Sequence, residues 1–259
     1  MSLICFIYKA CQTHGPDTAE KTREVYRFME NLVINRYLDA AILKPELTEP
    51  EVQTALAQCL DYQVKSVCVR PCDIELAVST CQGASTEVGC VLSFPHGVGL
   101  TKVKAYEAEQ YLALGVNEID MVANYGAIRA GQWTRVEQDI AAVSRLTQPA
   151  GVMLKVILET ALLTPDEISQ ATVAAAQAGA DFVKTSTGFT GGGATIEAVQ
   201  CMLRAAAGRI KVKASGGIRD YRQAKLFVDM GCQRLGVNYA SLRPICDPDA
   251  TGDDSTMGY

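Results

Sequence analysis

Lys184, in DFVKTSTGF (181–189), and Lys213, in RIKVKASGG (209–217), each sit inside a short, apolar, β-branched run. Burial in such a strand disfavours an ammonium ion, and lysines are seldom fully buried without a partner. A lysine held near another cation loses its proton more easily and becomes a nucleophilic amine near neutral pH. Such an amine attacks carbonyls and forms a Schiff base. For one lysine alone, the competing reading is a strand end that lets the side chain reach solvent or a carboxylate. Two of them in consecutive runs point to carbonyl chemistry.

The elements that must hold these lysines recur along the chain. Strand-like runs stand at 36–43, 66–71, 88–95, 118–123, 152–159, 181–186, 210–216 and 234–240. Segments with helical spacing separate them at 49–61, 73–81, 101–114, 134–146, 165–178, 194–207 and 220–230. Thr164-Pro165-Asp166-Glu167 combines a cap, an N1 proline and early acids. Gly115, Gly179 and Gly231 stand where helices end in a left-handed residue. Strands alternating with helices, without a change of composition, predict an α/β fold, a (β/α)8 TIM barrel rather than an open sheet. The segment 17–34 reads as an extra N-terminal helix. The barrel is expected over about 36–246, with an acidic, aperiodic and mobile tail over 247–259, all in one domain.

Catalytic groups of such barrels emerge at the C-terminal ends of strands. Side chains alternate along a strand, so Lys211, Lys213 and Ser215 share one face. So do Lys155, Ile157 and Glu159, and likewise Asp120, Val122 and Asn124. With Asp39 and Lys184 these predict an axial cluster of Lys184, Lys213, Lys155, Asp120, Asp39 and Glu159. Layered lysine–carboxylate pairs that only neutralise one another are the alternative, and Lys155 with Glu159 or Asp39 fits it. Two glycine-rich stretches, STGFTGGGAT (186–195) and SGGIRD (215–220), follow the sixth and seventh runs. Together they read as a phosphate site built from backbone N–H groups.

The bulk composition narrows the class of partner. Among 259 residues, 48% are hydrophobic and the net charge is -5, so no basic surface is offered to nucleic acid or to an anionic membrane. The apolar LICFIY (3–8) is short and lacks a preceding basic residue, so neither a signal peptide nor a membrane span is read, and a cytoplasmic location is expected. The 10 cysteines contain no CxxC pair and the chain has 2 histidines, which argues for free thiols and no metal site.

At this point the residues resemble a known family, the deoxyribose-phosphate aldolases, which are Schiff-base (class I) aldolases on a TIM barrel. The resemblance is carried by LDAAILKPELT (38–48), SVCVRP (66–71), FPHG (94–97), EAEQYLALGVNEIDMVANYGAIRAG (107–131), LKVILET (154–160), AGADFVKTSTGF (178–189) and VKASGGIRD (212–220). It implies Lys184 as the Schiff-base lysine, Lys213 as the neighbouring cation, and Asp120 with Lys213 and a water as the proton relay. It implies that the final Tyr259 folds back to assist proton transfer at the donor carbon. Cys68 matches a cysteine near the site, and Gly188, Gly216 and Gly217 match loop positions around the substrate phosphate. Gly236 and Asn238 fall at the phosphate turn after the eighth strand, and Lys155 is carried as a substrate-side residue.

Three departures stand out. The family's Gly-x-Ser-Ser-like turn is replaced by Gly236-Val237-Asn238-Tyr239, its Asp-His-Thr by Asp39-Ala40-Ala41, and its Asn-Pro by Arg70-Pro71. Arg70 reads as a surface arginine or as a replacement cation for the phosphate. The implied reaction is reversible cleavage of 2-deoxy-D-ribose 5-phosphate to acetaldehyde and D-glyceraldehyde 3-phosphate. It needs no metal or organic cofactor, because the lysine supplies the electron sink. A homodimer is expected by family analogy. The competing readings are the same chemistry on another aldehyde or an unphosphorylated sugar, and a barrel that binds a sugar phosphate without turning it over.

Overall fold

The computed structural model describes residues 33–247. Residues 17–32 of the expected N-terminal helix and 248–259 of the tail, with Tyr259, lie outside them. Eight parallel strands close into a barrel in sequence order. They are β1 (Leu38–Ile42), β2 (Ser66–Val69), β3 (Glu87–Leu92), β4 (Glu118–Val122), β5 (Met153–Ile157), β6 (Phe182–Lys184), β7 (Lys211–Ser215) and β8 (Arg234–Asn238). The ring shuts where Ala41 of β1 pairs in register with Asn238 of β8. The strands are buried on both faces, which is why each reads as a near-continuous apolar run.

The intervening helices are α1 (Glu49–Asp61), α2 (Ile74–Thr80), α3 (Thr101–Ala113), α4 (Tyr125–Arg129), α5 (Trp133–Thr147), α6 (Pro165–Gln177), α7 (Ile196–Ala206), α8 (Tyr221–Met230) and α9 (Leu242–Cys246). Seven match the segments read from helical spacing. The short α4 and α9 were not anticipated, since five residues hold too little of a 3.6-residue period to register. Thr164 caps α6 by accepting from the Glu167 amide, with Glu167 reaching back to the Thr164 amide. Gly115, Gly179 and Gly231 all take the left-handed conformation at helix ends. Among the described residues no helix is long and apolar enough to cross a membrane, and the eight described cysteines are free thiols.

Beside the barrel, Lys104 of α3 is 1% exposed and forms an ion pair with Asp139 of α5 at 2.6 Å. It also donates to the Val122 carbonyl at the end of β4 (3.1 Å), and Thr101 donates to the other Asp139 oxygen (2.7 Å). The pair fixes two helices against the strand that carries Asp120. Removing one partner strands a buried charge, whereas removing both does not. Lys104→Met should therefore cost about 3–5 kcal/mol in chemical denaturation. The double variant Lys104→Met/Asp139→Leu should recover most of that loss, and additive losses would show that the pair does not act as a unit.

Candidate active site

The interior of the barrel is a continuous chain of ions rather than an apolar core. At the strand starts, Lys65 binds Glu87 and Arg234 of β8 binds Asp39 of β1 and Glu118 of β4. One layer up, Lys155 of β5 contacts Glu118 (2.5 Å), Asp120 (2.9 Å) and Asp39 (3.5 Å). At the top, Lys213 of β7 contacts Asp39 (2.5 Å) and Asp120 (2.8 Å), and Lys184 of β6 contacts Asp120 (2.8 Å). Lys184 and Lys213 meet the same oxygen, Oδ2 of Asp120. The axial cluster read from strand parity thus forms around five of its six members. Glycine makes room for it, since a Cβ on Gly89 would meet Cβ of Glu118 at 3.3 Å and one on Gly236 would lie 2.3 Å from the Ser215 hydroxyl.

Glu159 is the sixth member and does not join. It follows β5 with φ +59°, a left-handed residue that breaks the strand alternation. Its carboxylate instead accepts from the Thr187 hydroxyl (2.5 Å) and the Thr187 amide (3.2 Å). Lys211 shares the parity of Lys213 but lies exposed at the strand start, 5.3 Å over the Phe182 ring. Glu118 and Arg234 were missed by sequence reading, although Glu118 has the parity of Asp120.

Coulombic attraction outweighs burial at Asp120, Asp39, Lys155 and Lys213. Burial would raise the Asp120 carboxyl, but Lys155, Lys184 and Lys213 hold it well below the usual carboxylate range. Asp39 is likewise held low by Lys213, Lys155 and Arg234 against its burial. Burial would lower the Lys155 and Lys213 ammoniums, yet the facing carboxylates push both up, Lys155 furthest.

Above the ions, at the C-terminal ends of the strands, opens a cavity of about 290 Å³. Lys184, Lys213, Asp39 and Cys68 line its inner part. Lys155 does not line it: the ammonium is enclosed beneath Asp120 by three carboxylates, which places it as a support and not a substrate contact. The Cys68 thiol is pushed up to about 11, by burial first and Asp120 second, so it stays protonated near neutral pH.

The outer part of the cavity is built by the loops after β6, β7 and β8. Gly188, Gly216, Gly217, Gly236 and Asn238 all line it. Gly216 and Gly217 both have positive φ, and the Ala194 amide donates to the Gly216 carbonyl (3.0 Å). A Cβ on Gly193 would lie 2.6 Å from that carbonyl, so the two glycine loops pack backbone on backbone. Asn238 turns its side-chain oxygen onto the Ala240 amide (2.9 Å), leaving its NH2 group as the donor. Tyr239 is half-buried beside it on the cavity wall.

Two cations here were not singled out from sequence: Lys44 after β1 and Arg219 after β7, both lining the cavity. Both lie in stretches where strand ends were already recognised, so their position was the available signal. Arg70, expected as a candidate cation for the phosphate, is not one. All its donors are engaged, by Asp73 (2.6 and 3.1 Å) and by the carbonyls of Lys44, Pro45 and Leu47 (3.1, 2.9 and 3.0 Å). It clamps the loop that presents Lys44.

The geometry has close counterparts among known proteins. A model of the DeoC/LacD family aldolases matches residues 18–233. The deoxyribose-phosphate aldolase of Streptococcus sanguinis is 40% identical over 220 residues, covering 85% of this chain and 99% of that protein. That of Lactiplantibacillus plantarum is 42% identical over 205 residues, covering 79% and 95%. The tetrameric deoxyribose phosphate aldolase of Aeropyrum pernix superposes with a TM-score of 0.76 at 27% identity, over 83% of this chain and 89% of that one. With a family model spanning most of its length and relatives at this identity, the chain belongs to the DeoC/LacD aldolase family.

Proposed function

We propose that the chain is a class I aldolase acting on 2-deoxy-D-ribose 5-phosphate, with Lys184 as the Schiff-base residue. The observation that carries this reading is the sharing of one Asp120 oxygen by Lys184 and Lys213. Lys155 and Lys213 each face two or more carboxylates, whereas Lys184 makes one ion pair among the described residues and opens on the cavity. It is the buried lysine of this cluster with the fewest ionic partners and the one open to a carbonyl in the cavity.

The Lys184 amine adds to C1 of the open-chain sugar, and the carbinolamine loses water to give an iminium ion. A proton then leaves the C3 hydroxyl and the C2–C3 bond breaks. Its electron pair passes to C2 and the iminium nitrogen, releasing glyceraldehyde 3-phosphate and leaving an enamine. Protonation at C2 and hydrolysis release acetaldehyde and restore the amine. Asp120, 2.8 Å from both ammonium groups, would pass protons with Lys213 and a water. Tyr259 assists C2 protonation in this reading.

At the outer end, the amides of the glycine loops, the Asn238 NH2 group, Lys44 and Arg219 would hold the phosphate. A second reading rests on Asn238 and Tyr239, which replace two small hydroxyl donors: the enzyme then prefers an unphosphorylated sugar or another aldehyde.

Borohydride trapping with acetaldehyde should leave one ethyl group on Lys184, and Lys184→Ala should abolish both the adduct and turnover without unfolding the protein. An adduct confined to surface lysines would refute the assignment. The second test compares kcat/KM for deoxyribose with and without its phosphate. The phosphorylated sugar should win clearly, and Lys44→Met should lower its kcat/KM about tenfold while sparing deoxyribose, the size expected for one charged hydrogen bond. Equal use of the two sugars would establish the second reading.

A further inference from the structure

Among the ionised groups of the barrel interior that touch neither the cavity nor Lys184, Arg234 and Glu118 lie farthest down, at the strand starts. Both are almost fully buried, at 4% and 0% exposure. They bind one another, and they join the chain on opposite sides, Arg234 through Asp39 and Glu118 through Lys155. We infer that Arg234 and Glu118 act as remote positioning residues whose charges set the proton occupancy of Lys184. This rests on Lys184 being the Schiff-base amine.

The argument is one of charge balance in a poorly solvated space. Four buried cations, Lys155, Lys184, Lys213 and Arg234, face three buried carboxylates, Asp39, Glu118 and Asp120. Interior charges are screened far less than surface ones, so this excess is felt along the chain. The cation least tightly held relieves it by losing a proton. Arg234 cannot be deprotonated. Lys155 meets three carboxylates and Lys213 two, while Lys184 has one shared oxygen. The excess is therefore relieved at Lys184.

The other groups around Lys184 leave this balance in place. The Cys68 and Cys90 thiols of β2 and β3 are both pushed up by burial and remain neutral. Glu87 of β3 is partly exposed and shared between Lys65 and Arg234. Glu159 is tied to Thr187 and makes no ion pair among the described residues. Lys44 and Arg219 stand at the outer cavity wall, toward solvent.

The signs are opposite for the two residues. Arg234→Met removes a cation, so Lys184 holds its proton more firmly and the acid limb of kcat/KM moves to higher pH. Glu118→Gln removes an anion, so that limb moves to lower pH. Each shift should be about one pH unit at the dielectric typical of such sites. The double variant Arg234→Met/Glu118→Gln restores the balance and should return the limb to its wild-type position. Arg234→Lys keeps the charge and should also keep the limb in place.

The experiment records pH profiles of kcat/KM for these variants, together with acetaldehyde–borohydride trapping mapped to the modified lysine. Opposite shifts that cancel in the double variant support the inference. An adduct on Lys184 with unchanged profiles, or shifts of the same sign, overturns it. If Lys184 is never modified even in the wild type, the failure belongs to the Schiff-base reading, and this inference falls with it. Should Arg234→Met not fold, Glu118→Gln and Arg234→Lys still decide, since a lowered limb in the first and an unmoved limb in the second are both required.

Discussion

The Asp120 carboxylate is the contact on which the rest of the site depends. Two ammonium groups approach one of its oxygens and a third approaches the other. Taking a carboxylate or an ammonium ion out of water costs several kcal/mol even after the surroundings relax. None of these groups could be buried alone. Each is tolerable because the barrel brings facing charges together from different strands, with neighbouring strands in fixed register. Asp120 pairs in register with Lys155 and Lys184 with Lys213. The register therefore determines the chemistry: a one-residue slip of β4 would turn Asp120 toward the helices and leave three lysines without their common partner.

The two ends of the barrel divide the labour. At the strand starts, bulky ionised side chains interlock. At the strand ends, glycines stand between the polar side chains and leave backbone exposed on the cavity wall. Gly89 and Gly236 lie on the boundary, each creating room for a charged or polar neighbour that a methyl group would displace. The loop clamp made by Arg70 belongs to the same scheme. It ties the β1 loop to the turn after β2 and so presents Lys44 at the cavity without entering it.

Much of this was legible in the sequence because two periods coexist in it. The helical segments and the apolar strand runs fixed the barrel, and alternation within the runs brought Lys184, Lys213, Lys155, Asp120 and Asp39 to one axis. Where alternation stopped, the reading stopped with it. Alternation makes Glu159 one more step along β5, but its own left-handed conformation redirects its side chain to Thr187. Glu118 and Arg234 begin their strands, where a charged residue reads equally well as the solvated edge of a loop. Only the closed ring shows that these strand starts converge. Arg70 fills neither role open to it in the sequence, phosphate cation or surface arginine: beside Asp73 at i+3, it is held by backbone carbonyls of a loop distant in sequence, which no pattern of residue types announces.

The replaced turn after β8 illustrates how such a site can change at one end while the other stays intact. Asn238 closes the turn through its carboxamide oxygen onto the Ala240 amide, a local bond that a serine hydroxyl can also make. The strand below is anchored independently, by Arg234 to Asp39 and Glu118 and by its pairing with β1 and β7. A substitution at 238 or 239 therefore alters what lines the outer cavity without disturbing the register that holds the lysines. The inner ions have no such freedom. Each meets at least one partner from another strand, so changing one charge leaves a buried neighbour uncompensated. That asymmetry is the physical reason to expect carbonyl chemistry to be fixed by the inner cluster and selectivity for the far end of the substrate to be set by the loops.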